Sequence, residues 1–115
     1  MRFFISQPMA GLSDADILKK RNEIIGVLKE KFGDDIEIID SFTKSETIVD
    51  RGRVAMLGHS IMMMWNADVV IFCDGWSQSS GCMIEHQVCT KYDISRIYES
   101  ELMLSDTSED VVFWR

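Results

Sequence analysis

Asp68-Val69-Val70-Ile71-Phe72-Cys73, followed at once by Asp74-Gly75-Trp76, is the stretch that decides the fold. From Val69 to Cys73 no polar residue alternates with the apolar ones, and a turn signal closes the run. That pattern predicts a strand covered on both faces, at the centre of a parallel sheet. Working outward, Arg2-Phe3-Phe4-Ile5 reads the same way until Ser6-Gln7-Pro8 stops it. Ile36-Glu37-Ile38-Ile39-Asp40 and Arg96-Ile97-Tyr98-Glu99 read as two further strands.

Helical signals lie between these strands. Ser13 with Asp16 three residues later caps a helix over 14–32, in which Ile17, Leu18, Ile24, Ile25, Leu28 and Phe32 recur at helical spacing until Gly33 ends it. A polar loop over 41–47 precedes a second helix over 50–66, which carries Val54, Leu57, Ile61, Met64 and Trp65 on one side. Ser77-Gln78-Ser79-Ser80-Gly81 feeds a third helix over 81–92. Residues 100–110 read as a polar loop, and Val111-Val112-Phe113-Trp114 as an apolar tail that must pack on the sheet or on another subunit. Strands alternating with helices imply right-handed crossovers. The prediction is one domain over 1–115 of the α/β class, a three-layer flavodoxin-like or Rossmann-like parallel sheet of four to five strands with helices on both faces.

Composition narrows the function classes. A chain of 115 residues, 46% hydrophobic, can bury a core without disulfides or structural metal. Nineteen acidic residues against twelve basic ones give a net charge of -7, which leaves no broad cationic surface for a nucleic-acid polymer. With no apolar run of about 18 residues and an opening too quickly polar for a signal peptide, no membrane segment is expected, and the cytoplasm is the expected compartment. Cys73, Cys82 and Cys89 sit in apolar context without zinc-knuckle spacing, so they read as buried thiols. Neither a metal nor another cofactor is expected.

Ligands of open parallel sheets bind at the carboxyl ends of the strands, which directs attention to the loops after Ile5, Ile39 and Cys73. The first loop, Ser6 to Leu12, has neither GxGxxG nor a phosphate-loop Gly-Lys-Ser/Thr. Ser6 and Gln7 read either as backbone-bonding loop residues or as polar ligand contacts. Ser79, Ser80 and Gly81 open the third helix, where Ser80 caps it or where hydroxyls and free N–H groups receive a phosphate or sugar. Glu85 has Gly81, Cys82, Val88 and Cys89 as helical neighbours, so its carboxylate does not lie on a solvated face. It is a structural salt-bridge partner or a nucleophile at an anomeric carbon. Asp74 suits a ribose hydroxyl or base edge, or a turn with Gly75. Asp68 lies at the opposite end of the sheet and reads as a local cap or pair. His86 is expected on an exposed helix face, and Met62-Met63-Met64 as core or interface packing.

Phe4-Ile5-Ser6-Gln7-Pro8-Met9-Ala10-Gly11-Leu12, Ala67-Asp68-Val69-Val70, Gly75-Trp76 and Gly81-Cys82-Met83-Ile84-Glu85-His86 together resemble the nucleoside 2-deoxyribosyltransferase superfamily, most of all a branch of small bacterial and phage proteins. The resemblance spans residues 2–98. It implies that Glu85 is the nucleophile taking the deoxyribosyl group, and that Ser79 occupies the position of a serine contacting the 5′-phosphate in related monophosphate hydrolases. It further implies that Ser6, Gln7 and Gly11 help bind the ligand and that the chain forms a homo-oligomer, for which the tail ending in Trp114 is a candidate surface. The chain departs from the superfamily at Ser60, where an aspartate often assists departure of the base. Phe3 and Phe4 leave no counterpart to an N-terminal active-site tyrosine, and residues 100–115 contain no asparagine.

The expected function is therefore cleavage or exchange of an N-glycosidic bond in a nucleoside or nucleotide, through Glu85, with Asp74 as a candidate proton source and Ser6, Gln7, Gly11, Ser79, Ser80 and Gly81 as substrate contacts. The alternative is a module that binds a nucleotide-like ligand without turning it over, which Ser60 favours. A phosphoacceptor domain of similar architecture would need clustered acids after the first strand to hold magnesium, and Ser6-Gln7 stand there instead.

Overall fold

The structure is a computed structural model that describes residues 1–40 and 52–115. The loop expected over 41–47 and the start of the second predicted helix lie outside the described residues. Four parallel strands, β1 (Arg2–Ser6), β2 (Glu37–Ile38), β3 (Val69–Phe72) and β4 (Arg96–Tyr98), form a sheet in the order β2-β1-β3-β4. Among the described residues the helices are α1 (Asp14–Phe32), α2 (Arg53–Met64), α3 (Ser80–Lys91) and α4 (Glu99–Leu104). This is the α/β flavodoxin-like class that the sequence predicts.

Strand parity sorts the core into two layers, because successive side chains of a strand point to opposite faces. Phe3, Ile5, Val69, Ile71, Cys73 and Ile97 cluster with Ile24 and Leu28 of α1 and Leu102 of α4. Phe4, Val70 and Phe72 cluster instead with Met64 of α2 and Cys89 of α3. Helices thus cover both faces. The chain runs from β1 outward to β2 and then returns to the other side of β1 as β3, so the strand order reverses between β1 and β3. In open α/β sheets the ligand crevice lies at that reversal.

Local chemistry explains where the elements begin and end. Ser13 Oγ accepts the Asp16 N–H at 3.1 Å to cap α1, and Gly33, at φ 97°, closes it with its N–H on the Lys29 carbonyl. Asp14 and Asp16 in the first turn and Lys29 and Lys31 in the last match the helix dipole. Asp68 pairs across the sheet rather than locally, accepting the backbone N–H of Arg2, 66 residues away, at 2.7 Å.

Three expectations need correction, and the tail takes the first of the two packings expected of it. The second strand is only Glu37–Ile38 rather than 36–40, since it is an edge strand paired to β1 at two positions. Within α2 only Met64 is fully buried, while Val54 and, just past its end, Trp65 are exposed, so the apolar side expected of this helix is mostly not in the core. The stretch read as a polar loop after residue 100 contains α4 and a 3-10 turn over Ser108–Asp110. Tertiary burial of Leu102 stabilises α4, as does Glu99, which accepts from the Asp74 N–H and from Lys20 Nζ. The tail packs on its own sheet: Trp114 exchanges two backbone hydrogen bonds of 2.8 Å with Arg96, and Val111 enters the core. This antiparallel bridge covers the exposed edge of β4.

Ile71 is fully buried on β3, between Ile5 of β1 and Ile97 of β4. Truncating it removes apolar area and leaves a cavity at the sheet's centre, so Ile71→Ala is expected to lower unfolding free energy by about 2–5 kcal/mol, measured by urea denaturation.

Candidate functional site

The inner face of α3 is written as Cys82, Glu85 and Cys89, the three residues of that helix that are buried. Two of them are small apolar groups, and the third is a carboxyl only 7% exposed. Ser6 meets it from the sheet. As the last residue of β1, Ser6 shares the parity of Phe4 and therefore faces α3, where its hydroxyl donates to Glu85 Oε1 at 2.8 Å. No other hydrogen bond from the described residues reaches this carboxyl, so among them Oε2 has no donor.

Burial pushes the Glu85 carboxyl up to about 7, against the opposing pull of the Ser6 hydroxyl. Burial also raises the three thiols, Cys73 and Cys89 to about 12. For Cys82 the same effect outweighs the neighbouring Ser6 and Ser79 hydroxyls. Near neutrality Glu85 is therefore the buried group here that changes charge, while the thiols stay protonated.

Glu85 lies in the wall of a cleft of about 270 Å³ at the carboxyl ends of β1 and β3. The wall brings together Gln7, Met9 and Ala10 of the first loop, Arg53, Leu57 and Ser60 of α2, and Ser79, Ser80, Gly81 and Cys82 at the start of α3. Gly75, at φ 88°, lets the chain after β3 turn back against Pro8, so the first and third loops form one rim. Ser79 rather than Ser80 caps α3, its Oγ accepting the Cys82 N–H at 3.4 Å, and the Ser80 hydroxyl has no partner among the described residues. Gln7 borders the cleft, but its amide is turned to α1, where Nε2 donates to the Ile17 carbonyl at 3.1 Å.

Other candidates fall elsewhere. Gly11 borders a smaller hollow with Met9, Ala10 and Arg53 beside the cleft. Asp74 is exposed and does not border the cleft; its backbone N–H is bonded to Glu99 Oε1 at 2.9 Å. His86 is half-buried rather than exposed, because the chain after β3 folds Trp76 over it. The two rings stack with centroids 4.1 Å apart, and His86 Nε2 lies 2.6 Å from the Tyr98 hydroxyl. Arg53 and Leu57 were missed, since the sequence carries no signal for which helix crosses the strand ends. The Ser6–Glu85 bond had a signal, because Ser6 has the parity of Phe4.

Among the described residues no group of His, Cys, Asp or Glu is arranged to hold a metal ion, and no helix is long and apolar enough to cross a membrane. Comparison with known protein families, curated proteins and solved structures finds no match for this chain.

A carboxyl at about 7 when folded and near its usual 4.5 when unfolded binds its proton more tightly in the native state. Its contribution to stability is complete below about pH 4.5 and is lost as pH rises toward 7, by roughly 3 kcal/mol in all. Glu85→Gln keeps an acceptor for Ser6 without the charge. Urea melts should find it close to the native protein at pH 4 and more stable by up to roughly 3 kcal/mol at pH 8.

Proposed function

We propose that this chain is an enzyme of the N-glycosidic bond, hydrolysing or exchanging the base of a nucleoside or nucleotide through a glycosyl intermediate on Glu85. The observation that carries the reading is the buried carboxyl in the cleft wall at the strand-order reversal, with one oxygen held by Ser6 and the other without a donor among the described residues. Such a carboxylate suits attack on an anomeric carbon, or stabilisation of the oxocarbenium-like charge that develops there. The likeness of the Gly81–His86 stretch and the first loop to the nucleoside 2-deoxyribosyltransferase superfamily supports the same reading. Within it the chain acts on a small molecule in the cytoplasm and works as a homo-oligomer, with the Trp114 backbone paired to Arg96 of its own sheet.

The ionised form of Glu85 is the nucleophile, so its activity should rise with pH through about 7. The departing base takes its proton from solvent or from a group outside the described cleft, since Asp74 does not border it. Arg53 is the one cation among the described residues of the wall, and with Ser79 and Ser80 it gives an anionic end of the substrate a place to bind.

A second reading, a binding module without turnover, draws on one observation. Glu85 is the only carboxylate among the described wall residues, and Ser60 contributes a hydroxyl rather than a second acid.

The deciding measurement is chromatographic detection of free base after incubation with nucleosides and their 5′-monophosphates, with and without an acceptor base. Base release or exchange is expected, with Glu85→Gln reducing it at least a thousandfold, on the order expected for loss of a nucleophile. Absence of turnover across the panel, with ligand-dependent thermal stabilisation, would establish the binding module instead. Isothermal titration on Glu85→Gln should find monophosphates binding about tenfold more tightly than nucleosides, the worth of one charge-assisted contact, with the margin lost in Arg53→Gln.

A further inference from the structure

We propose that Ser6 is a positioning residue that holds Oε1 of Glu85 through the whole reaction, so that Oε2 is the atom that bonds the sugar, and that Ser6 acts chiefly on the breakdown of the glycosyl-enzyme. The inference rests on the glycosidic reading above.

Three observations carry it. Ser6 is 1% exposed and does not border the cleft, so its hydroxyl is not offered to a ligand. That hydroxyl is spent on Oε1 at 2.8 Å, across a contact fixed by strand parity on one side and by the buried face of α3 on the other. The described residues provide no other hydrogen bond to the carboxyl, so its two oxygens are chemically distinct before any substrate arrives. Ser6 was grouped with the ligand contacts from the sequence. The geometry gives it a different task.

The consequence differs between the two half-reactions. In the first, Oε2 forms a bond to the anomeric carbon while the carbon–nitrogen bond breaks. Its electron pair leaves with the base, which takes a proton from solvent. Oε1 becomes the carbonyl oxygen of a glycosyl ester and keeps the Ser6 hydrogen bond. In the second, water or an acceptor base attacks the anomeric carbon, the Oε2–carbon bond breaks with its electron pair returning to Glu85, and the nucleophile's proton passes to solvent. Negative charge now grows on the carboxylate, and a donor at 2.8 Å stabilises that departure. The same bond stabilises the free carboxylate before attack, so it does not favour the first step. Ser6 therefore speeds the release of the sugar from Glu85 and not its capture.

Ser6→Ala is compared with the native chain at pH 9, where Glu85 is ionised in both. Turnover is expected to fall about ten- to a hundredfold, the worth of a hydrogen bond to a charged group, with KM falling in parallel so that kcat/KM holds. Quenched samples should show the variant carrying the mass of one sugar, with a burst of base release ahead of the slow steady state. A raised KM with unchanged kcat would make Ser6 a ligand contact and overturn the proposal. NMR titration of the Glu85 carboxyl supplies a readout free of turnover. It should move up in Ser6→Ala, and an unmoved titration would also overturn the proposal. If no substrate turns over, the glycosidic reading fails on its own, and the positioning role in catalysis falls with it, whereas the titration still reports whether Ser6 and Glu85 are linked.

Discussion

The parallel pairing of β1 with β3 is the constraint on which everything else depends. Its register, Phe3 with Val69, Phe4 with Val70, Ile5 with Ile71 and Ser6 with Phe72, sets which residues face each helical layer. A slip of one position would invert the parity of a strand, carry Phe4 away from Met64 and Cys89, and turn Ser6 away from α3. Because both faces are buried, no such slip is tolerated. The core therefore specifies the site: the parity that packs Phe4 also delivers a hydroxyl to Glu85.

Among the described residues, the polar side chains buried at the carboxyl end of the sheet are partnered unequally, and Gln7 Oε1 has no partner at all. Glu99 takes the Asp74 N–H and Lys20, joining α4 to the end of β3 and to α1. Arg21 donates to the Ile39 carbonyl and ties α1 to the chain beyond β2. Among the described residues Glu85 has only Ser6. A carboxylate so lightly solvated is costly to keep ionised in the folded state, and its raised pKa expresses that cost. A lysine or arginine placed beside it, as Lys20 is beside Glu99, would have made it a structural ion pair. Its isolation in the cleft wall distinguishes the two buried glutamates.

Much of the architecture was legible in the sequence. Val69 to Phe72 announced a central strand because a run without polar interruption has only a doubly covered environment to occupy, and the capped, periodic segment over Asp14–Phe32 could be read to its ends. The reading weakened where tertiary contact outweighs local pattern. α4 has too few apolar residues to show a period and exists because Leu102 and Glu99 find partners far away in sequence. The site divided in the same way. Glu85, Ser79, Ser80 and Gly81 were legible because a helix start and a carboxylate among small neighbours are local features. Arg53 and Leu57 reach the same wall through the packing of α2 against α3, which depends on distant contacts.

The sequence by itself determined the strand and helix order, the parallel class of the sheet and the burial of Glu85's helical face, because these follow from periodicities of two and 3.6 residues and from the turn chemistry between them. Tertiary structure alone decided which oxygen of Glu85 is held, which helix closes the cleft, and that Asp74 stands outside it. Those outcomes depend on pairs such as Ser6 and Glu85, 79 residues apart, whose approach is set by strand register and helix packing. No local pattern encodes a distance between two atoms that the chain brings together only when the sheet has formed.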